Sequence, residues 1–167
     1  MFELHKKQKS LDADIIEKHN LKAVNLFNNK VIALDVELGE CFNEIESFKH
    51  WKKNKGKTNV LEEACDALHF ILSLANDCKH KLAKPTDCFK SPLNQNWVDY
   101  FLIDRKIIAI KKNLWTKFYV SKDPYILNII LRDLMTILNL LGYSWEDLKE
   151  AYYKKNKINF KRQEENY

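Results

Sequence analysis

Glycine and proline are scarce in this chain of 167 residues, which has three of each. All-β sandwiches and dinucleotide-binding folds use glycine in turns that need a positive φ angle, and three glycines are too few for them. The sequence contains neither GxGxxG nor GxxxxGK[ST], so it lacks the fingerprints of glycine-rich phosphate-binding loops. These absences favour an all-α protein, and the length favours one domain over residues 1–167.

Arginine is as rare as glycine, and the formal net charge of +5 comes from an excess of lysine. Proteins that read DNA sequence commonly place arginine on guanine, so we expect no nucleic-acid partner. The four cysteines form no CxxC pair, which argues against zinc sites and disulfide frameworks. The sequence has no 18-residue apolar run and no N-terminal signal pattern. We therefore expect a cytoplasmic protein with no membrane segment.

Apolar residues recur every three or four positions in six stretches, which is the spacing of amphipathic helices. Asp123 marks a helix start, Gly142 a helix stop, and Ser144 with Asp147 a near capping box. The stretch at 124–141 is apolar nearly all round, which predicts a place at the bundle centre or in a subunit interface. The predicted helices span residues 3–19, 26–51, 59–82, 96–114 and 124–141, with a last helix from residue 144.

Two pairs of acidic residues interrupt the apolar stripes of the second and third predicted helices. Within each pair a spacing of three places both carboxylates on one face: Glu37 with Glu40, and Glu63 with Asp66. If the helices pack antiparallel across the loop at 52–58, the four carboxylates meet. A divalent cation relieves their repulsion, and Mg²⁺ prefers oxygen ligands while keeping water and phosphate in its shell. The pattern predicts a Mg²⁺ platform for a nucleoside triphosphate; the alternative is a solvated face paired with lysines.

Gly39 lies inside the second predicted helix, between Glu37 and Glu40. A glycine in a helix interior costs about 1 kcal/mol relative to alanine. Its presence therefore predicts the close approach of a neighbouring backbone or a ligand. The alternative is a neutral feature of packing.

The last predicted helix carries side chains that suit phosphate. Lys155, Asn159 and Arg162 follow one another at steps of three or four and share a face. All three donate hydrogen bonds to phosphate oxygens in proteins. The alternative is a solvated basic helix that its macrodipole favours.

Five segments together resemble the dimeric, all-α dUTPases of the MazG-like nucleotide pyrophosphatase superfamily. The acidic pairs alone are typical of the whole superfamily, whereas the FKxW and KNxxNxxRQ patterns resemble the dUTPases. The segments are 8–12 (QKSLD), 36–44 (VELGECFNE), 48–51 (FKHW), 63–70 (EACDALHF) and 151–163 (AYYKKNKINFKRQ).

The resemblance implies an obligate homodimer with a four-helix core that cleaves dUTP, and dUDP as well, to dUMP with Mg²⁺. By motif position, it implies metal-binding catalytic roles for Glu37, Glu40, Glu63 and Asp66. It also implies substrate contacts, with Gln8 at the uracil edge and Tyr167 closing over the nucleotide. The other implied substrate contacts are Lys49 and Trp51, together with Lys155, Asn159 and Arg162 on the phosphates.

Two other functions stay open at this point. A broader pyrophosphatase that acts on dCTP or damaged nucleotides needs the same carboxylates, so only the base-reading residues separate it from a dUTPase. A basic helical module that binds nucleic acid predicts DNA affinity that falls with salt and ignores Mg²⁺. The second alternative leaves the acidic pairs unexplained.

Overall fold

The computed structural model of the chain describes residues 1–52, 59–86 and 98–165. Within them it contains six α-helices and no strand, which confirms the predicted all-α fold. The helices are α1 (Phe2–Lys18), α2 (Phe27–Ile45), α3 (Val60–Asp77), α4 (Tyr100–Lys112), α5 (Tyr125–Leu140) and α6 (Trp145–Glu164). A π-helix, Asn113–Tyr119, continues directly from α4.

Helices α2 and α3 pack antiparallel, as the sequence predicts. At one end of the pair the ammonium of Lys30 lies 2.6 Å from the carboxylate of Asp77. At the other end the Cys41 thiol contacts the carbonyl oxygen of Val60 at 3.8 Å. The faces that carry the acidic pairs therefore meet; residues 53–58 of the predicted loop between the helices lie outside the described residues.

The bundle core forms around α3 and α5. Helix α3 contacts α1, α2, α5 and α6, and α5 also contacts α4 and the π-helix. The α5 side chains of Leu127, Ile130, Leu134 and Ile137 are all fully buried. This burial confirms a place for α5 in the bundle centre.

Several helices end earlier or run further than their periodicity predicts. Helix α2 stops at Ile45 and not at residue 51, because Glu46 adopts a left-handed conformation (φ 55°) that breaks the helical path. Helix α3 stops at Asp77 and not at residue 82, because Lys79 is also left-handed (φ 54°). Hydrophobic spacing continues through both stops, so it could not reveal them. The fourth helix begins at Tyr100, later than predicted, and its π-helical extension carries it beyond residue 114.

The predicted signals around α5 and α6 are confirmed. The Asp123 carboxylate accepts a hydrogen bond from the Tyr125 backbone N–H at 3.0 Å, and α5 begins there. Gly142 has a φ of 94° directly after the end of α5, and Ser144 with Asp147 forms a complete capping box.

No single helix in the described ranges is long and apolar enough to cross a membrane. Helices α5 and α6 together have the length and apolar composition of a membrane span, but the chain bends by 108° between them. Most of α5 is buried against the other helices.

Candidate active site

Three of the four predicted metal-binding carboxylates form a cluster between α2 and α3. Glu37, Glu63 and Asp66 each offer one oxygen, and these oxygens all lie within 4.8 Å of one another. Glu40 lies outside this set, next to Glu63 on the rim of a neighbouring cavity of about 360 Å³. Antiparallel packing of the two acidic faces brings the cluster together, as predicted from the spacing.

The pKa values of the three clustered carboxylates are all raised, so their charged forms are disfavoured. Burial and the charge of Asp66, with smaller effects from Glu40 and Glu63, raise the pKa of Glu37 to about 7. Burial, followed by neighbouring carboxylates, raises the pKa of Glu63, and burial also raises the pKa of Asp66. A divalent cation removes this repulsion and accepts oxygen ligands, so the residues present fit Mg²⁺.

Lys155 of α6 is the cation that the structure places against the cluster. Its ammonium lies 2.7 Å from the Asp66 carboxylate and 3.0 Å from that of Glu62. Burial opposes the charge of Lys155, but the hydrogen bonds to Asp66 and Glu62 outweigh it and raise the lysine pKa. The alternative interpretation is a solvated acidic face paired with lysines. Asp66 is paired with a lysine, but the three clustered carboxylates are all partly buried and not fully solvated.

A cavity of about 430 Å³ opens beside the cluster, between α1, α2, α3 and α6. Its lining combines apolar side chains, among them Leu11, Ile15 and Phe70, with polar and charged side chains. This combination suits a nucleotide, which has a flat base and a charged tail. Six of the predicted site residues line the cavity: Gln8, Glu37, Asp66, Lys155, Asn159 and Arg162.

A buried hydrogen-bond network fixes the carboxamide of Gln8, whose side chain is almost fully buried. Its nitrogen donates to the Asp12 carboxylate at 2.8 Å, and Ser73 donates to the other Asp12 oxygen at 2.8 Å. Its oxygen accepts from the Tyr152 hydroxyl at 3.0 Å and lies 2.7 Å from Nδ1 of His69. Because an amide oxygen only accepts, Nδ1 of His69 carries a proton.

His69 is the site residue that sequence reasoning missed. Burial, followed by the charge of Lys155, lowers the pKa of His69 to about 4, so the ring is neutral at pH 7. With the proton on Nδ1, Nε2 is an acceptor, and it is buried with no hydrogen-bond partner in the described part of the chain. The ring stacks on Tyr152 at 4.3 Å between centroids and lines the cavity. A position three residues after Asp66, on the same helical face, is the signal that could have revealed it.

Two predicted substrate contacts, Lys49 and Trp51, lie elsewhere. The Lys49 ammonium lies 2.7 Å from the Glu46 carboxylate and does not line the cavity. Trp51 is 67% exposed, and its ring contacts His50. The left-handed turn at Glu46 directs this segment away from the axis of α2. Tyr167 lies outside the described residues.

Gly39 has open space around it. A Cβ atom added there would lie 3.9 Å from the Lys111 ammonium, which is an ordinary contact distance, and no described backbone lies within 4 Å. The expected close approach of a neighbouring backbone is therefore wrong, and the close approach of a ligand stays a prediction.

Fold and site together define a class: an all-helical protein in which carboxylates, basic groups and amide groups line one nucleotide-sized cavity. The sequence model of a family described as dUTPase matches residues 1–167, so the chain belongs to the dUTPase family. Its activity is that of a dUTP diphosphatase. Among curated proteins, none is similar enough to count as a match.

Proposed function

We propose that the chain hydrolyses dUTP, and dUDP as well, to dUMP in a reaction that depends on Mg²⁺. This limits uracil incorporation into DNA and supplies dUMP for thymidylate synthesis. Glu37, Glu63 and Asp66 would hold the metal, with Glu40 beside them. When bound, Mg²⁺ neutralises charge on the phosphates and lowers the pKa of an attacking water. The observation that carries this proposal is the carboxylate cluster, whose oxygens lie within 4.8 Å of one another.

Helix α6 supplies hydrogen-bond donors for the phosphates. Lys155, Asn159 and Arg162 line one wall and offer ammonium, amide and guanidinium groups to phosphate oxygens. Preorganised donors of this kind stabilise the charge that develops on leaving phosphate oxygens. One carboxylate, Glu37 or Glu40, orients or deprotonates the water. Glu37 is the one that lines the cavity.

Gln8 and His69, which also line the cavity, are suited to reading a uracil edge. The Gln8 carboxamide has one N–H left after its bond to Asp12 and can donate it to a uracil carbonyl. The unpartnered Nε2 of His69 can accept from the N3–H of uracil. Cytosine offers the opposite pattern, an N3 acceptor and an exocyclic amino donor. This pairing supports dUTP as the substrate over dCTP.

We also propose a cytoplasmic homodimer. Ile32 and Val36 of α2 and Ile108 of α4 are each at least half exposed. Each lies within one helical turn of a residue of the ion pair between Lys111 of α4 and Asp35 of α2, and we propose that they form one apolar surface. A second copy would cover it.

Lys49, Trp51 and Tyr167 are proposed substrate contacts on the family resemblance. The exposed Trp51 ring is available to a nucleotide or to a second chain.

Replacing one cluster carboxylate tests the proposed metal site. Glu63→Gln removes the charge of one ligand with little change in shape, so we expect Mg²⁺ affinity to fall and dUTP turnover to fall about 100-fold or more. Pyrophosphate release measures the turnover, calorimetry the Mg²⁺ affinity, and circular dichroism the helix content. Glu150→Gln, an exposed change on α6, is the matched control. Wild-type Mg²⁺ affinity and turnover in folded Glu63→Gln would contradict the proposal.

A further inference from the structure

A second cavity, larger than the first at about 530 Å³, lies between α1 and the segment that follows α3. Lys6 and Lys9 line it from α1, one turn apart on the same face. Lys79 and Lys81 line it from the other side. We call this cavity, with its four lysines, the amine pocket.

The charge of the amine pocket is not balanced by the protein. Within the described residues, no carboxylate lines the cavity and none of its four ammonium groups forms an ion pair. The nearest acid along the chain, Asp77, is paired with Lys30 at 2.6 Å. Ammonium groups gathered around one cavity repel one another, and an anion reverses the sign of that interaction.

Hydrogen bonds hold the two walls of the pocket together. The Leu82 backbone N–H donates to Nε2 of His5 at 3.2 Å, and Nδ1 of His5 lies 2.7 Å from the side-chain oxygen Oδ1 of Asn76. Asn76 returns a hydrogen bond to the His5 backbone carbonyl at 3.1 Å. The side chain of Asn128 on α5 bonds His80 at 2.7 Å. The backbones that carry the lysines are therefore fixed before any ligand binds, which lowers the entropic cost of binding.

We propose that the amine pocket binds a polyphosphate chain, either as an inorganic ion or as the tail of a nucleotide. Lysine ammonium groups bind phosphate as compact point charges, and a polyphosphate chain carries several negative charges for the four lysines to meet. Phe2, 79% exposed, lies on the pocket lining and offers a ring against which a base can stack. The site is separate from the substrate cavity, with which it shares no lining residue.

Nuclear magnetic resonance titration tests this site residue by residue. Tripolyphosphate and ATP are added separately to the ¹⁵N-labelled protein in buffer with EDTA. Amides of residues 76–82 report on the amine pocket, and those of residues 155–162 report separately on the substrate cavity. We expect saturable shifts at 76–82 in the wild-type protein. ATP binding that is tighter than tripolyphosphate binding, and weakened by Phe2→Ala, assigns a nucleotide; equal affinities assign the inorganic chain.

Two charge-matched double variants complete the test. Lys79→Gln with Lys81→Gln should weaken binding at 76–82 by about tenfold, the loss of two exposed charge pairs. It should leave dUTP turnover unchanged. Lys112→Gln with Lys117→Gln removes the same charge from an exposed region outside both cavities and should change neither. Equal weakening in both variants, or no saturable shift at 76–82 in the wild type, would overturn the proposal.

Discussion

Replacing His69 by phenylalanine should lower the ratio of kcat/KM for dUTP to kcat/KM for dCTP while the protein still folds. The phenylalanine ring keeps the stacking on Tyr152, whose centroid lies 4.3 Å away. Gln8 keeps the hydrogen bonds to Tyr152 and Asp12 that orient its carboxamide. The variant loses the hydrogen bond from Nδ1 to the Gln8 oxygen, which Tyr152 still satisfies, and in the substrate complex it loses the Nε2 acceptor. The second loss leaves the N3–H of uracil buried without a partner.

The size of this effect follows from the cost of a buried unpaired donor. That cost is about 1–3 kcal/mol, which corresponds to a roughly 5- to 150-fold lower kcat/KM for dUTP. For dCTP the sign differs, because the Nε2 lone pair opposes the N3 lone pair of cytosine. We therefore expect kcat/KM for dCTP to stay constant or rise.

Steady-state pyrophosphate release with each nucleotide measures the ratio of the two kcat/KM values. His19→Phe is the matched control, since His19 bonds Gln163 and does not line the substrate cavity. An unchanged dUTP to dCTP ratio in folded His69→Phe, or an equal loss for both nucleotides, would refute the role of His69 in reading the base.

Three further predictions concern the charged cluster and the apolar surface. Lys155→Met removes the ammonium 2.7 Å from Asp66, so calorimetry should show tighter Mg²⁺ binding while turnover falls. The raised pKa of Glu37, about 7, means that the contribution of this group to the stability of the metal-free protein is full below pH 4.5 and is lost as pH rises to 7. Glu37→Gln should remove most of this loss, about 1 kcal/mol after solvent screening, in thermal melts with EDTA. Ile108→Glu places a charge on the apolar surface, and light scattering should show monomers.

Each of these predictions has a contradicting result. For Lys155→Met it is weaker Mg²⁺ binding, because the ammonium would then not compete with the metal. For Glu37 it is a melting temperature of the metal-free wild type that does not fall relative to that of Glu37→Gln between pH 5 and pH 7. For Ile108→Glu it is an unchanged dimer mass, which would place the subunit contact elsewhere.

The carboxylate cluster could be predicted because it depends only on helix geometry and on how two neighbouring helices pack. The spacing of three fixes each acidic pair on a helical face, and antiparallel packing of α2 and α3 brings the faces together. The sequence also predicts the central place of α5, since its own residues are apolar on nearly every face. Lys155, Asn159 and Arg162 reach the same cavity because they share a face of α6.

The residues proposed to read the base, Gln8 and His69, could not be predicted in the same way. The Gln8 network joins side chains from α1, α3 and α6, and periodicity does not report which polar groups meet across helices. The end of α2 was missed for another reason. Glu46 adopts a left-handed conformation without the glycine that usually signals one, and two lysines neutralise its carboxylate after the turn. Lys49 and Trp51 lie beyond that turn.

Pyrophosphate release from a panel of dUTP, dCTP, dTTP and UTP, with Mg²⁺ and with EDTA, tests the account most directly. The carboxylate cluster predicts turnover with Mg²⁺ and none with EDTA. The donor on Gln8 and the acceptor on His69 predict fast cleavage of dUTP and slow cleavage of dCTP. Equal rates on dUTP and dCTP would contradict the assigned base recognition, and full activity in EDTA would contradict the metal site.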